Sequence, residues 1–154
     1  MSAVLAGDVR RLAINLRRGA FLAASLLAAS ACAGPAAPDA PFPVGTTLAW
    51  LGTDAAGARR SAPADVTRYT VSFDPSGRAA IRLDCNRGSA QWRRDGDALA
   101  LTPIASTKMM CPRGSLDATF AADLAQVARW RFDGAVLTLT GRDGSTMQFR
   151  PSGS

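Results

Sequence analysis

Apolar and polar side chains alternate along much of the chain from residue 68 onward. A period of two places successive side chains on opposite faces, so each alternating segment predicts a β-strand with one buried and one solvated face. Asp-Gly pairs at 95–96, 133–134 and 143–144 predict hairpin turns, the middle pair a type I′ turn. The pattern predicts an antiparallel meander whose inward positions are Tyr69, Val71, Phe73, Ile81, Leu83, Cys85, Ala90, Trp92, Leu99, Leu101, Trp130, Phe132, Leu137, Leu139, Met147 and Phe149, with Arg82 and Asp84 on the solvated face.

One segment breaks the alternation. Leu116, Phe120, Leu124 and Val127 follow one another at spacings of four, four and three residues, which is the period of an amphipathic α-helix. Ser115 stands where a side-chain cap would start this helix. We expect the helix to pack on the curved sheet, so that its apolar residues belong to the core.

A basic and then apolar segment opens the chain. Four arginines precede an apolar run of roughly 13 residues that ends at Ala31 and is too short to span a bilayer. This pattern predicts a signal peptide over residues 1–31. The small residues before Cys32 fit either ordinary cleavage, which would give a soluble periplasmic protein, or a lipobox whose cysteine is acylated. We expect acylation of Cys32, because pairing of Cys85 with Cys111 leaves the third cysteine unpaired.

Residues 32–45 are rich in proline and alanine and have no apolar period, which predicts a lipid-anchored linker. The remaining segment, 46–151, is long enough for one domain with a single core. We therefore expect an exported protein on the periplasmic side of a bacterial membrane, with the outer membrane as the first expectation. Its membrane partner would be lipid, held through Cys32.

Cys85 and Cys111 each follow an apolar segment and predict a disulfide between neighbouring parts of the sheet. Redox-active pairs usually stand two residues apart at a helix start, so the wide separation favours a structural role. Asn86, directly after Cys85, is expected to cap local backbone amides in a turn.

Charge and composition exclude several classes of function. The whole-chain charge is +6, and removal of the leader, with four arginines and one aspartate, leaves +3. The remaining basic residues are scattered without aromatic neighbours, so nucleic acid is not an expected partner. The chain contains neither histidine nor glutamate. This composition removes the histidine-based nucleophile systems and the commonest zinc ligand, so we expect no enzyme, no cofactor and no metal site.

Two sequence stretches, 83–88 (LDCNRG) and 104–112 (IASTKMMCP), carry a family resemblance. Together with Phe120, Leu124, Trp130 and the Leu-Thr-Leu at 137–139, they resemble the META domain of the HslJ-like family of bacterial envelope lipoproteins. The resemblance spans roughly residues 50–149. It implies a mainly β (α+β) fold, a small and strongly curved antiparallel β-barrel-like meander with one packed α-helix, and no established catalytic activity.

The functional expectation is a non-enzymatic, membrane-tethered envelope domain that acts as a stress or envelope-integrity module and binds an unknown periplasmic or envelope protein. Within the segment 106–113, Lys108, Met109, Met110 and Arg113 combine adaptable apolar contacts with positive charge and form the candidate binding loop. Alternatively, the methionines fill gaps under the disulfide.

Two other functions remain open at this point: a carrier of a small apolar ligand inside the curved sheet, and a lysozyme-inhibitor-like lipoprotein. The number of large aromatic side chains favours a filled interior over a carrier. They are Trp50, Phe73, Trp92, Phe120, Trp130, Phe132 and Phe149.

Overall fold

The computed structural model describes residues 40–153. The predicted signal peptide at 1–31, the predicted acylation site Cys32 and the linker up to residue 39 lie outside the described residues. Within 40–153, no helix is long and apolar enough to cross a membrane.

The described chain forms ten strands, one α-helix and one turn of 3-10 helix at Val66–Arg68. The strands are β1 (Thr47–Ala55), β2 (Ala58–Ser61), β3 (Tyr69–Phe73), β4 (Arg78–Leu83), β5 (Asn86–Asp95), β6 (Ala98–Leu101), β7 (Ala105–Ser106), β8 (Val127–Phe132), β9 (Leu137–Gly141) and β10 (Thr146–Pro151), and the helix is α1 (Asp117–Ala125).

Eight of the strands close into an antiparallel barrel. The order around it is β1, β3, β4, β5, β6, β8, β9 and β10, and β10 pairs back onto β1 with Trp50 opposite Phe149. The shorter strands lie off this ring, since β2 pairs with the end of β1 and β7 pairs with β5. The predicted mainly β fold with one packed helix is confirmed.

Large apolar side chains fill the barrel. The helix covers one end with Phe120 and Leu124, and the Trp50 ring stacks on Phe120 with 4.8 Å between ring centroids. The predicted filled interior agrees with these contacts and leaves little support for a carrier. The fully buried large side chains are Trp50, Phe73, Phe120, Phe149, Leu48, Leu99, Leu124, Leu137, Leu139, Met147, Val71 and Val127.

A buried carboxylate attaches the helix to the barrel wall. Asp123 of α1 accepts a hydrogen bond of 2.7 Å from the Thr53 hydroxyl in β1 and forms an ion pair with Arg60 in β2. Because a buried charge is costly unless it is paired and hydrogen-bonded, these two partners fix the position of α1.

The helix is shorter than its apolar period predicts. Val127 lies in β8, not in the helix, because the chain leaves the helix at Gln126 and places the Val127 side chain in the core from a strand. Leu116 occupies the N-cap position, one residue after the predicted cap Ser115. Ser115 lies one residue earlier, where its hydroxyl accepts from the Asp117 N–H at 3.3 Å.

The β4–β5 hairpin also differs from the predicted alternation. Strand β4 ends at Leu83, which pairs with Asn86, and the two residues between them turn the chain. Asp84 has a positive φ of 59°, so the alternation cannot continue to Cys85. Asp84, expected on the solvated face, is buried and forms an ion pair with Arg68.

The last residues of the predicted linker belong to the barrel. Phe42 is buried, with its ring 4.9 Å from Phe73 and 5.1 Å from Trp92, centroid to centroid. The Ala40 N–H donates to the Phe132 carbonyl at 2.8 Å. Residues 40–45, predicted to be the end of the linker, are therefore part of the folded domain, because one aromatic ring supplies enough apolar area to dock this segment.

The β8–β9 connection is longer than the predicted two-residue turn. It spans Asp133 to Val136, and the Asp133 carboxylate accepts from the N–H groups of Ala135 and Val136. The aspartate therefore organises a four-residue loop, which corrects the type I′ prediction.

Candidate functional site

The disulfide between Cys85 and Cys111 joins the β4–β5 turn to the long loop between β7 and α1, with 5.5 Å between the two Cα atoms. The predicted pairing is thus present. It fixes the C-terminal half of segment 106–113, which we call the stapled loop.

The Asn86 side chain holds the middle of the stapled loop. Its Oδ1 accepts from the Met109 N–H at 2.8 Å and from the Thr107 hydroxyl at 2.8 Å. Its Nδ2 donates to the Met109 carbonyl at 3.1 Å and to the Asp117 carboxylate at 3.3 Å. Asn86 is 4% exposed, and these bonds use both the donor and the acceptor of its amide. The prediction that it caps local amides was wrong, because its partners lie more than twenty residues along the chain.

The start of the stapled loop is held by backbone pairing. The Thr107 N–H donates to the Arg87 carbonyl at 3.0 Å, and the Arg87 N–H donates to the Thr107 hydroxyl at 3.1 Å. Gly88 allows the close approach of β7, since a Cβ there would lie 3.0 Å from Ile104 Cγ2 and 3.2 Å from the Ala105 carbonyl oxygen. The loop is thus attached to β5 along its whole first half.

The long side chains of the stapled loop point to solvent. Met109 is 61% exposed and Met110 is 99% exposed, while Lys108 and Arg113 are also exposed. The alternative that the methionines fill gaps under the disulfide is therefore wrong. The structure brings all four predicted residues together on one loop whose backbone is fixed and whose side chains are free.

An open groove adjoins the stapled loop. Its volume is about 370 Å³, and it lies between segments 62–65 and 112–116. Tyr69 forms part of the wall, and its hydroxyl accepts from the Leu116 N–H at 2.9 Å. The Arg68–Asp84 ion pair forms another part, and Arg113 lies at the rim. The groove thus enlarges the surface beside the exposed methionines. Its polar wall groups, the Tyr69 hydroxyl and the Arg68–Asp84 ion pair, already have partners within the protein.

The exposed aspartates mostly organise turns. Hydrogen bonds from turn donors hold the pKa of four of these carboxyls below their ordinary value of 3.8. The main cause is the Thr67 hydroxyl for Asp65, the Ser76 hydroxyl for Asp74, the Val136 N–H for Asp133 and the Ser145 hydroxyl for Asp143. Such carboxylates stay ionised at neutral pH and are poor general acids. Over residues 40–153, no group of three potential metal ligands comes together.

Comparisons with known proteins bear on the family and the fold. The family model described as META domain matches residues 46–154. A solved structure of a protein from Burkholderia xenovorans superposes with a TM-score of 0.62 at 22% identity, covering 78% of this chain and 99% of that one. A DUF4847 family protein from Bacteroides vulgatus superposes with a TM-score of 0.51 at 15% identity, covering 71% and 94% of the two chains. At these identities the likeness concerns the fold alone. No curated protein matches the chain.

Proposed function

Because the chain belongs to the META domain family, we propose that it is a non-enzymatic envelope domain that binds a protein partner through its stapled loop. One observation carries the proposal. Met110 is 99% exposed on a loop whose neighbouring residues are fixed by a disulfide and by the Asn86 amide. Large exposed apolar side chains on an ordered loop are typical of interaction sites.

A fixed loop favours binding because less conformational entropy is lost when the partner docks. The backbone of the stapled loop is ordered before binding, so mainly the methionine side chains lose freedom. Methionine side chains are flexible and polarisable and adapt to the shape of an apolar pocket. Met109 and Met110 therefore supply the apolar part of the contact.

Charge specifies the kind of partner. Lys108 and Arg113 flank the methionines and make no ion pair with a described residue. The nearest carboxylate along the chain, Asp117, accepts a hydrogen bond from Asn86. Complementary potentials favour a protein surface that has an apolar pocket bordered by carboxylates. An envelope or periplasmic protein with such a surface is the partner we propose.

The absence of catalytic activity belongs to the same proposal. The full sequence has no histidine and no glutamate, and the buried aspartates Asp84 and Asp123 form ion pairs with arginines. Export and a lipid anchor at Cys32 also remain proposals. A disulfide suits an oxidising compartment, and mass spectrometry of the native N-terminal peptide would detect acyl chains on Cys32.

The binding proposal is tested by photo-cross-linking in intact cells. A photoreactive residue replaces Met110 in the full-length protein, and Ala100, an exposed residue on β6, takes the same replacement as a control. We expect one discrete cross-linked protein from position 110 and none from position 100. Addition of unmodified protein to permeabilised cells should compete with the cross-link, and the double variant Lys108→Glu and Arg113→Glu should abolish it.

The cross-linked peptide of the partner should contain aspartate or glutamate beside apolar residues. Equal labelling from positions 110 and 100, or a product that the charge reversal leaves unchanged, would contradict the proposal.

A further inference from the structure

A second surface lies on the outer face of the barrel and reaches the start of the stapled loop at Ser106 and Thr107. The strand register places five residues in one row across β10, β1, β3, β4 and β5: Arg150 opposite Ala49, Ala49 opposite Thr70, Thr70 opposite Arg82, and Arg82 opposite Arg87. Ala49 is buried, and the other four are exposed or half-buried. Three of the five are arginines, and none is acidic.

The pair Arg82 and Arg87 is unfavourable for the protein alone. Like charges directly opposite each other on neighbouring strands destabilise a sheet. Neither guanidinium forms an ion pair with a described residue, and Arg82 Nε is buried without a hydrogen-bond acceptor. The charge of Arg82 contributes to lowering the pKa of the Asp65 carboxyl, but this carboxylate accepts its hydrogen bonds from Thr67 and not from Arg82. Arg87 Nη1 donates to the Asn86 carbonyl at 3.4 Å, so the unpaired donor is Arg82 Nε, and an anion beside it would accept its hydrogen bond.

Small side chains form a shallow floor next to the arginine row. The register places Thr47, Ser72, Ala80, Ser89 and Ala105 in a second row across β1, β3, β4, β5 and β7. Arg78, the next outward residue on β4 after Ala80, borders the other side.

Two depressions of about 340 Å³ and 410 Å³ lie along this floor and share Arg87 and Gly88. The two depressions adjoin at these residues, and we call the shallow surface that they make across the strands the arginine groove.

The chemistry of the floor favours one class of ligand. The hydroxyls of Thr47, Thr70, Ser72 and Ser89 make no hydrogen bond to a described residue. The strands beneath pair on both sides over this region, so an extended peptide cannot bind by strand addition. Hydroxyl groups suit a ligand that is itself rich in hydroxyls, and guanidinium groups suit carboxylates.

We propose that the arginine groove binds an acidic glycan, a chain of sugars that carry carboxylates. Arg82 and Arg87 would bind one carboxylate between them, which removes their repulsion and supplies the missing acceptor. The free hydroxyls would bind sugar hydroxyls along the floor. A sugar residue is similar in length to the strand spacing of roughly 4.8 Å, so a glycan lying across the strands meets about one strand per sugar. This site adjoins the stapled loop but uses none of the four side chains proposed to contact the protein partner.

The test measures binding of tetragalacturonate, a tetramer of uronic acid, to the purified full-length protein by calorimetry at low salt. The methyl-esterified tetramer, which lacks the carboxylate charges, and a tetramer of aspartate are the comparison probes. The test variants are the double substitution Arg82→Gln and Arg87→Gln, and Ala80→Trp, which fills the groove from an exposed position. The control, Arg93→Gln with Arg142→Gln, removes two exposed charges outside the groove.

We expect saturable binding of tetragalacturonate, weakened at least tenfold by either test variant and less than twofold by the control. The methyl ester and the aspartate tetramer should bind at least tenfold more weakly. Arg82→Gln alone should raise the melting temperature, which separates lost binding from lost folding. Absence of tetragalacturonate binding, equal weakening by the control, or equal binding of the aspartate tetramer would overturn the proposal.

Discussion

Asn86 binds the backbone of Met109 on both sides, since Oδ1 accepts from the Met109 N–H at 2.8 Å and Nδ2 donates to the Met109 carbonyl at 3.1 Å. The amide side chain thus provides the same two hydrogen bonds that a neighbouring strand would provide. A loop without regular secondary structure is thus held at this point by a pair of hydrogen bonds like those that join two strands. This contact fixes the backbone at Met109, directly before the 99% exposed side chain of Met110.

Replacement of Asn86 by alanine should destabilise the fold by about 2–3 kcal/mol, because several buried or half-buried hydrogen bonds are lost together. Thr107→Val, which removes one of these bonds, should cost about 1 kcal/mol. Denaturant unfolding of both variants measures the difference. A loss below about 1 kcal/mol for Asn86→Ala would show that the loop is held by other contacts.

Reduction of the Cys85–Cys111 disulfide should lower stability by about 3.5 kcal/mol, because the cross-link restricts a long loop in the unfolded chain. Unfolding with and without a reductant measures this effect, and the double variant Cys85→Ser and Cys111→Ser should behave like the reduced protein. Identical unfolding midpoints in both conditions would contradict a stabilising role for the bond.

Phe42→Ala should destabilise the domain by about 3–5 kcal/mol, since it removes a buried ring that contacts Phe73, Trp92 and Trp130. Val44→Ala serves as a control because Val44 is exposed and should cost less than about 0.5 kcal/mol. Thermal melts compare the stabilities of the two variants with that of the parent protein. If Phe42→Ala melts with the parent, residues 40–45 do not contribute to the core.

Stability should fall at acidic pH. The pKa values of Asp65, Asp74, Asp133 and Asp143 are lowered in the folded state by turn hydrogen bonds. A lowered pKa means that the stabilising bonds are fully present above the unfolded value of 3.8 and are lost as the pH falls through the lower folded values. Urea midpoints should therefore stay constant near neutral pH and decrease below about pH 4. Midpoints that rise on acidification would contradict the direction of these shifts.

Local pattern predicted much of the fold. Alternation located most strands, and the apolar spacing of Phe120 and Leu124 located the helix, because both signals act over a few residues. The alternation failed at Asp84, where a positive φ ends the strand. The helical spacing failed at Val127, because this side chain is buried from strand β8 and burial alone does not distinguish a helix from a strand. Local pattern also missed Phe42, because one aromatic residue among prolines has no period.

The candidate site was only partly predictable. The residue types at 108–113 indicated a binding loop, but the exposure of Met109 and Met110 depends on how the loop is attached. That attachment comes from Asn86, whose partners are brought near by the disulfide and by the pairing of β5 with β7. The cysteine pairing was the available signal, since it places Asn86 beside residues 107–111. The arginine row depends on the register of four strand pairs, which no local pattern contains.

The central claim is that the exposed methionines stand on an ordered loop, and amide hydrogen exchange by NMR tests it most directly. We expect the Met109 N–H, bonded to Asn86, and the Thr107 N–H, bonded to the Arg87 carbonyl, to exchange at least about a hundredfold more slowly than in an unfolded chain. The neighbouring Met110 N–H, which makes no hydrogen bond to a described residue, should exchange fast. Unprotected exchange at both Met109 and Thr107 in the oxidised protein would contradict the account.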